Sequence, residues 1–140
     1  MKIYFAGSIR GGRSDQEIYF SIIRELKKYG QVLTEHVGEK NIEEEEKERG
    51  NTDTEIFERD MSWVKEADVV VAEVTTPSLG VGYEIGQAQS MNKPIICLYR
   101  KTEGKKLSAM LSGNSHISVF EYSSVEEAEK IIKNELSGLL

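Results

Sequence analysis

Two acidic side chains in this sequence fall where helices should be apolar. When the residues following Thr52 are placed 100° apart, Ile56, Phe57, Met61, Trp63, Val64 and Ala67 share one broad arc, and Asp60 sits in its middle. Glu58 and Arg59 fall on the solvent side. A carboxylate turned toward a core is costly unless it is paired or used. The stretch from Val81 to Asn92 repeats the pattern, with Glu84 among Val81, Ile85, Ala88 and Met91. Counted from Val81, Glu84 is in the first turn, where the helix dipole favours an anion. That suits a nucleophile better than a proton donor. Two inward carboxylates on separate helices are the parts for glycosyl transfer with retention: one attacks the sugar, and the other, about 5 Å away, moves the proton. Each position also has a reading without chemistry. Asp60 could be tied to backbone amides or to an arginine, and Glu84 could simply stabilise its first turn.

The other chemical candidates surround a glycine-rich stretch, Gly7-Ser8-Ile9-Arg10-Gly11-Gly12-Arg13. A strand before it and a helix after it would let backbone N–H groups approach phosphate oxygens, with Arg10 and Arg13 adding positive charge. It is neither a dinucleotide-binding fingerprint nor a Walker A sequence, and a tight turn with exposed arginines fits it too. Tyr4 could reach a ligand at that loop with its hydroxyl, although a strand tyrosine is more often core. His36 could line a pocket beyond the second strand. His116 reads as surface, and the two histidines lack metal-ligand spacing, so no metal site is expected.

Elements that would position these groups follow from the periodicity. Lys2 to Ala6 predicts a strand. A helix capped by Asp15 carries Ile18, Ile22, Leu26 and Tyr29 and ends at a left-handed Gly30, and Gln31 to Thr34 predicts a second strand. Glu35 to Gly50, with the acidic run Glu43 to Glu46, reads as a solvated loop or frayed helix that could act as a lid. Thr52 with Glu55 forms a capping box for a helix to about Ala67, and Asp68 to Val74 is a β-branched run suited to the centre of a parallel sheet. Thr75 to Gly80 leads into the helix from Val81 to Asn92, and Pro94 to Tyr99 forms the fourth strand. Ser108 caps a short segment ending near Gly113. Ile117 to Tyr122 forms the fifth strand, and Ser124 with Glu127 opens a last helix bearing Val125, Ala128, Ile131, Ile132 and Leu136. The alternation predicts an α/β three-layer sandwich, Rossmann-like or flavodoxin-like, with a five-stranded parallel sheet in the order 2-1-3-4-5. Ligands of such sheets sit at the carboxyl ends of the strands where the order reverses. Here that is between strands one and three, next to the loops of residues 7–13 and 75–80.

Composition narrows the function classes. The 140 residues suit one domain, 1–140, with one core. A net charge of −6 argues against duplex nucleic-acid binding, while a single nucleotide could still be held locally. No apolar run reaches the roughly 18 residues of a membrane span, and the N-terminus turns to glycine too soon for a signal peptide, so a cytoplasmic protein is expected. Cys97 is the only cysteine, which excludes an intramolecular disulfide.

These segments together resemble the 2′-deoxynucleoside 5′-phosphate N-hydrolases, relatives of the nucleoside 2-deoxyribosyltransferases. The resemblance runs through residues 4–13, Leu33 to Val37, Asp60 with Trp63, Ala67 to Val74, Pro77 to Glu84, and Leu107 to Met110. It implies Glu84 as the nucleophile of a glycosyl-enzyme intermediate, Asp60 as acid/base and Tyr4 as an assistant at the sugar. It further implies that Gly7 to Arg13, Ser78 and Gly80 hold the nucleotide and its 5′-phosphate, and that His36 lies near the base. Ser108, Ala109 and Met110 would complete the phosphate site of a neighbouring subunit, hence a homodimer. The sequence departs most from the family pattern between Glu35 and Thr52. The expected reaction is hydrolysis of the N-glycosidic bond of a 2′-deoxynucleoside 5′-monophosphate to free base and 2-deoxyribose 5-phosphate. Rival readings are a nucleoside 2-deoxyribosyltransferase, a ribonucleotide N-glycosidase acting on CMP, and a nucleotide-sensing module without turnover. Ser8, Ser78 and Ser108 favour a phosphorylated substrate.

Overall fold

The computed structural model describes residues 1–9, 13–38 and 50–140. Expectations placed on Arg10, Gly11, Gly12, the Arg13 side chain and the acidic run Glu43 to Glu46 lie outside the described residues. The described elements are β1 (Lys2–Gly7), α1 (Arg13–Leu26), β2 (Gln31–Val32), a 3-10 turn (Glu35–Gly38), α2 (Asp53–Glu66), β3 (Val69–Glu73), α3 (Leu79–Ser90), β4 (Ile95–Arg100), α4 (Ala109–Ser112), β5 (Ile117–Tyr122) and α5 (Val125–Ser137). The five strands are parallel in the order 2-1-3-4-5, as the alternation predicted.

All five residues of β3 are buried, which is why its sequence shows no alternation: both faces of a central parallel strand meet helices. On one face Ile3, Phe5, Val69 and Val71 pack with Ile22 and Leu26 of α1 and with Ala128, Ile132 and Leu136 of α5. On the other, Tyr4, Ala6, Val70 and Ala72 pack with Val64 of α2 and with Val81, Ile85 and Ala88 of α3. Alternate residues of β1 thus serve opposite layers, and Tyr4 belongs to the layer that carries both candidate carboxylates.

Several local expectations change. Asp15 does not cap α1; it lies in the first turn of a helix that starts at Arg13, and its side chain is buried. The helix stops at Leu26, and 3-10-type bonds from Lys28 to Glu25 and from Tyr29 to Leu26 tighten the exit. Gly30 is not left-handed. It is needed for space, since a Cβ there would lie 2.2 Å from the Met1 carbonyl oxygen. β2 has two residues, not four, because Thr34 leaves the ladder and its hydroxyl takes over both bonds of Phe5, accepting from its N–H at 2.8 Å and donating to its C=O at 2.7 Å. The Thr52–Glu55 capping box forms in full. Ser124 caps α5, but Glu127 reaches back to the Ser123 N–H instead. Phe57, expected inside, is half exposed and meets the equally exposed Tyr83 ring at 5.9 Å.

Candidate active site

A cavity of about 420 Å³ opens beside the carboxyl end of β1, between α2 and α3. Tyr4 to Gly7 form its floor, Asp60 and Arg59 come from α2, and Gly80 and Glu84 come from α3. The two inward carboxylates read from separate helices therefore share one space. Ile9, His36 and Ser78 also line it. Ser8 is buried next to the cavity floor. Gly7 is required there, because a Cβ would come within 2.9 Å of the Tyr19 ring beneath it.

Glu84 differs from expectation in one respect. Ser78 caps α3, its hydroxyl accepting from the Val81 N–H at 3.3 Å, so the helix begins at Leu79 and Glu84 falls in the second turn. The first-turn dipole argument does not apply to it. Its carboxyl is pushed up to about 7, chiefly by burial and further by the charge of Asp60, against a hydrogen bond from the Tyr4 hydroxyl that favours the ionised form. Tyr4 is itself buried, and burial, then the Glu84 and Asp60 charges, raise its phenol, so it remains a protonated donor. A Cβ at Gly80 would sit 3.8 Å from both Glu84 Oε1 and Ser78 Oγ. The bare glycine keeps that space clear between carboxylate and hydroxyl.

Asp60 is about a quarter exposed, and its Oδ1 accepts from Nε of Arg59 at 3.1 Å. Arg59 was expected in solvent. Instead its guanidinium carbon lies 4.9 Å from the centre of the Trp63 ring, and Nη2 is 3.4 Å from His36 Nε2. The His36 ring in turn lies 5.6 Å from Trp63. The spacing held the signal: Arg59 and Trp63 are four residues apart and must share a helix face.

Ser108, Ala109 and Met110 are exposed and lie away from this cavity. Ser108 caps α4 through the Met110 N–H. Ser108 and Met110 line a second groove of about 770 Å³, which runs past Ser78 and Leu79 and along Gly82 and Gly86 of α3. Among the described residues no cluster of histidine, cysteine or acidic side chains could hold a metal ion, and no helix is long and apolar enough to cross a membrane.

A buried polar network was not foreseen. Glu73, fully buried at the end of β3, accepts from the Tyr122 hydroxyl, from the Thr75 N–H at 2.7 Å and from the Thr75 hydroxyl at 2.9 Å. Arg100 lies 3.6 Å from Glu73 and pairs with Asp15, which also accepts from the Thr76 hydroxyl at 2.5 Å. The network ties the start of α1 to the loop before α3, the two segments that flank the cavity floor.

The sequence profile of the nucleoside 2-deoxyribosyltransferase family matches residues 3–134. A mouse protein named 5-hydroxymethyl-dUMP N-hydrolase is 50% identical over 133 residues, covering 93% of this chain and 76% of its own. The Esox lucius protein of the same name is 49% identical, covering 99% of this chain and 98% of its own. A Nematostella vectensis protein named as a putative 2′-deoxynucleoside 5′-phosphate N-hydrolase is 49% identical, covering 99% and 95%. Among solved structures, a Clostridium botulinum CMP N-glycosidase superposes with a TM-score of 0.67 at 20% identity, covering 95% of this chain and 99% of that one. A Bacillus psychrosaccharolyticus 2-deoxyribosyltransferase gives 0.66 at 16%, covering 97% and 96%. At those identities the two structures speak to the fold alone.

Proposed function

The chain belongs to the nucleoside 2-deoxyribosyltransferase family, and on that premise we propose that it hydrolyses the N-glycosidic bond of 2′-deoxynucleoside 5′-monophosphates, giving free base and 2-deoxyribose 5-phosphate. The observation that carries this reading is the meeting of Glu84, Asp60 and Tyr4 in one cavity at the switch point of the sheet. The N-hydrolase names of relatives about half identical to this chain support hydrolysis over transfer.

Glu84 is the nucleophile. Its oxygen attacks the anomeric carbon as the base departs, forming a glycosyl ester, and the missing 2′-hydroxyl eases the oxocarbenium-like state. Tyr4 donates to the carboxylate, which stabilises its ionised form in a buried setting. Asp60 protonates the base as it leaves and then removes a proton from the water that opens the ester. The phosphate is held at Gly7 to Arg13, Ser78 and Gly80, with His36 toward the base. No cofactor takes part.

We further propose a homodimer. Leu79 and Met110 are 97% and 79% exposed beside the second groove, an apolar surface that a second copy would cover. Ser108, Ala109 and Met110 would then be offered to the phosphate site of the neighbouring subunit. The reaction belongs in the cytoplasm, with neither membrane nor nucleic-acid polymer as partner.

The test is direct. Incubation with each deoxynucleoside monophosphate, the matching nucleosides and CMP, followed by chromatography, should give free base from the deoxy monophosphates alone. Release from nucleosides only in the presence of an acceptor base would indicate a transferase, and release from CMP a ribonucleotide glycosidase. Binding without release would indicate a sensor. Glu84→Ala should fold and lose turnover.

A further inference from the structure

We propose that Asp15 and Thr76 are positioning residues for the substrate phosphate: the hydrogen bond between them holds the two loops that grip it at one fixed spacing. This deepens the proposed hydrolysis and rests on its placing of the phosphate.

The two loops line one cavity but follow different strands. Gly7 and Ile9 stand at the end of β1, Ser78 and Gly80 stand beyond β3, and all four line the catalytic cavity. An anion held between them needs donors from both sides within about 0.5 Å of the productive geometry. Something must therefore set the distance from one loop to the other.

Both loops are tied to Asp15, which lies in the first turn of α1 and is 4% exposed. Its Oδ2 accepts from the Thr76 hydroxyl at 2.5 Å, and its Oδ1 pairs with the Arg100 guanidinium. Thr75, beside Thr76, is pinned as well: its N–H and hydroxyl donate to Glu73 at 2.7 and 2.9 Å, and the hydroxyl accepts from the Arg100 N–H at 2.9 Å. On the other side, Tyr19 follows Asp15 by four residues and shares its helix face. The Tyr19 ring is buried edge-on to Phe5, with centroids 5.6 Å apart, and lies 2.9 Å from where a Cβ on Gly7 would stand. Contact thus runs from the loop bearing Ser78 through Thr76, Asp15 and Tyr19 to Gly7.

Stability alone does not call for such a link. Apolar side chains of the same volume fill a buried space as well as a charged network does, but hydrogen bonds also fix distance and direction. Glu84 is placed by other means, since Val81 and Ile85 of the same helix are buried in the core. Loosening the link therefore disturbs the phosphate grip and leaves the nucleophile where it is.

Thr76→Val removes the hydroxyl and keeps the shape of the side chain, and Thr76→Ser restores the hydroxyl. Calorimetric titration with 2-deoxyribose 5-phosphate should give a Kd raised by on the order of 10-fold in the valine variant, the equivalent of one lost hydrogen bond to a charged group. The serine variant should bind like wild type. In turnover of the deoxynucleoside monophosphates that wild type cleaves, KM should rise by the same factor while kcat stays nearly unchanged. A role in stability alone would lower the amount of active enzyme, and with it kcat, without moving Kd or KM. An unchanged Kd, or a rise that serine does not reverse, would overturn the proposal. So would a rise accompanied by loss of the wild-type oligomeric state, which would assign the effect to the second groove that Thr76 also lines. Wild type that neither releases base nor binds 2-deoxyribose 5-phosphate overturns the hydrolase reading itself, whereas wild-type binding with an indifferent Thr76 overturns only this inference.

Discussion

Replacing Glu84 with glutamine should change the stability of the protein in a pH-dependent way. Burial holds the carboxyl near 7 in the folded protein, while in the unfolded chain it returns to its ordinary range. The sign follows from proton counting. A carboxyl raised on folding binds more protons in the native state, so its contribution is fully present below the unfolded pKa and is lost as pH rises through about 7. The size of the displacement corresponds to about 3 kcal/mol. Glutamine keeps the shape and never ionises. The stability of Glu84→Gln relative to wild type should therefore grow by about 3 kcal/mol between about pH 4 and pH 8, whatever constant offset the substitution brings. Urea unfolding at matched pH values measures this difference, and other titrating groups cancel between the two proteins. A difference that stays constant with pH, or one that shrinks as pH rises, would refute the claim that folding desolvates the Glu84 carboxyl.

Other substitutions test other parts of the account. Tyr4→Phe removes the hydrogen bond that favours ionised Glu84, so the acid limb of the kcat/KM profile should move up by about one pH unit; an unmoved limb would count against the contact. Arg100→Ala leaves buried Glu73 and Asp15 without their cation and should cost about 3 kcal/mol in urea unfolding. Gly30→Ala drives a Cβ into the Met1 carbonyl and should cost about 2 kcal/mol, measurable as a drop in Tm.

The strand order and the layer assignments were legible because they rest on local periodicity. The unbroken run at Val69 to Val71 announces a strand covered on both faces, and the Thr52–Glu55 box fixes the start of α2 to the residue. The inward turn of Asp60 and Glu84 followed from the same helical spacing. Features set by contacts distant in sequence were not legible. The lack of room for a side chain at Gly30 depends on Met1, the length of β2 on the Thr34 side chain meeting Phe5, and the burial of Asp15 on Arg100, 85 positions away. The protonation of Glu84 turned on two residues of helix start: with Ser78 as cap the dipole no longer reaches it, and desolvation decides.

Rapid acid quench during turnover of a deoxynucleoside monophosphate, followed by peptide mass mapping, tests the central claim most directly. The account predicts a transient mass increase of one 2-deoxyribosyl 5-phosphate unit on the peptide containing Glu84, absent from Glu84→Gln. Sustained release of base by the glutamine variant, or an adduct on another side chain, would contradict it.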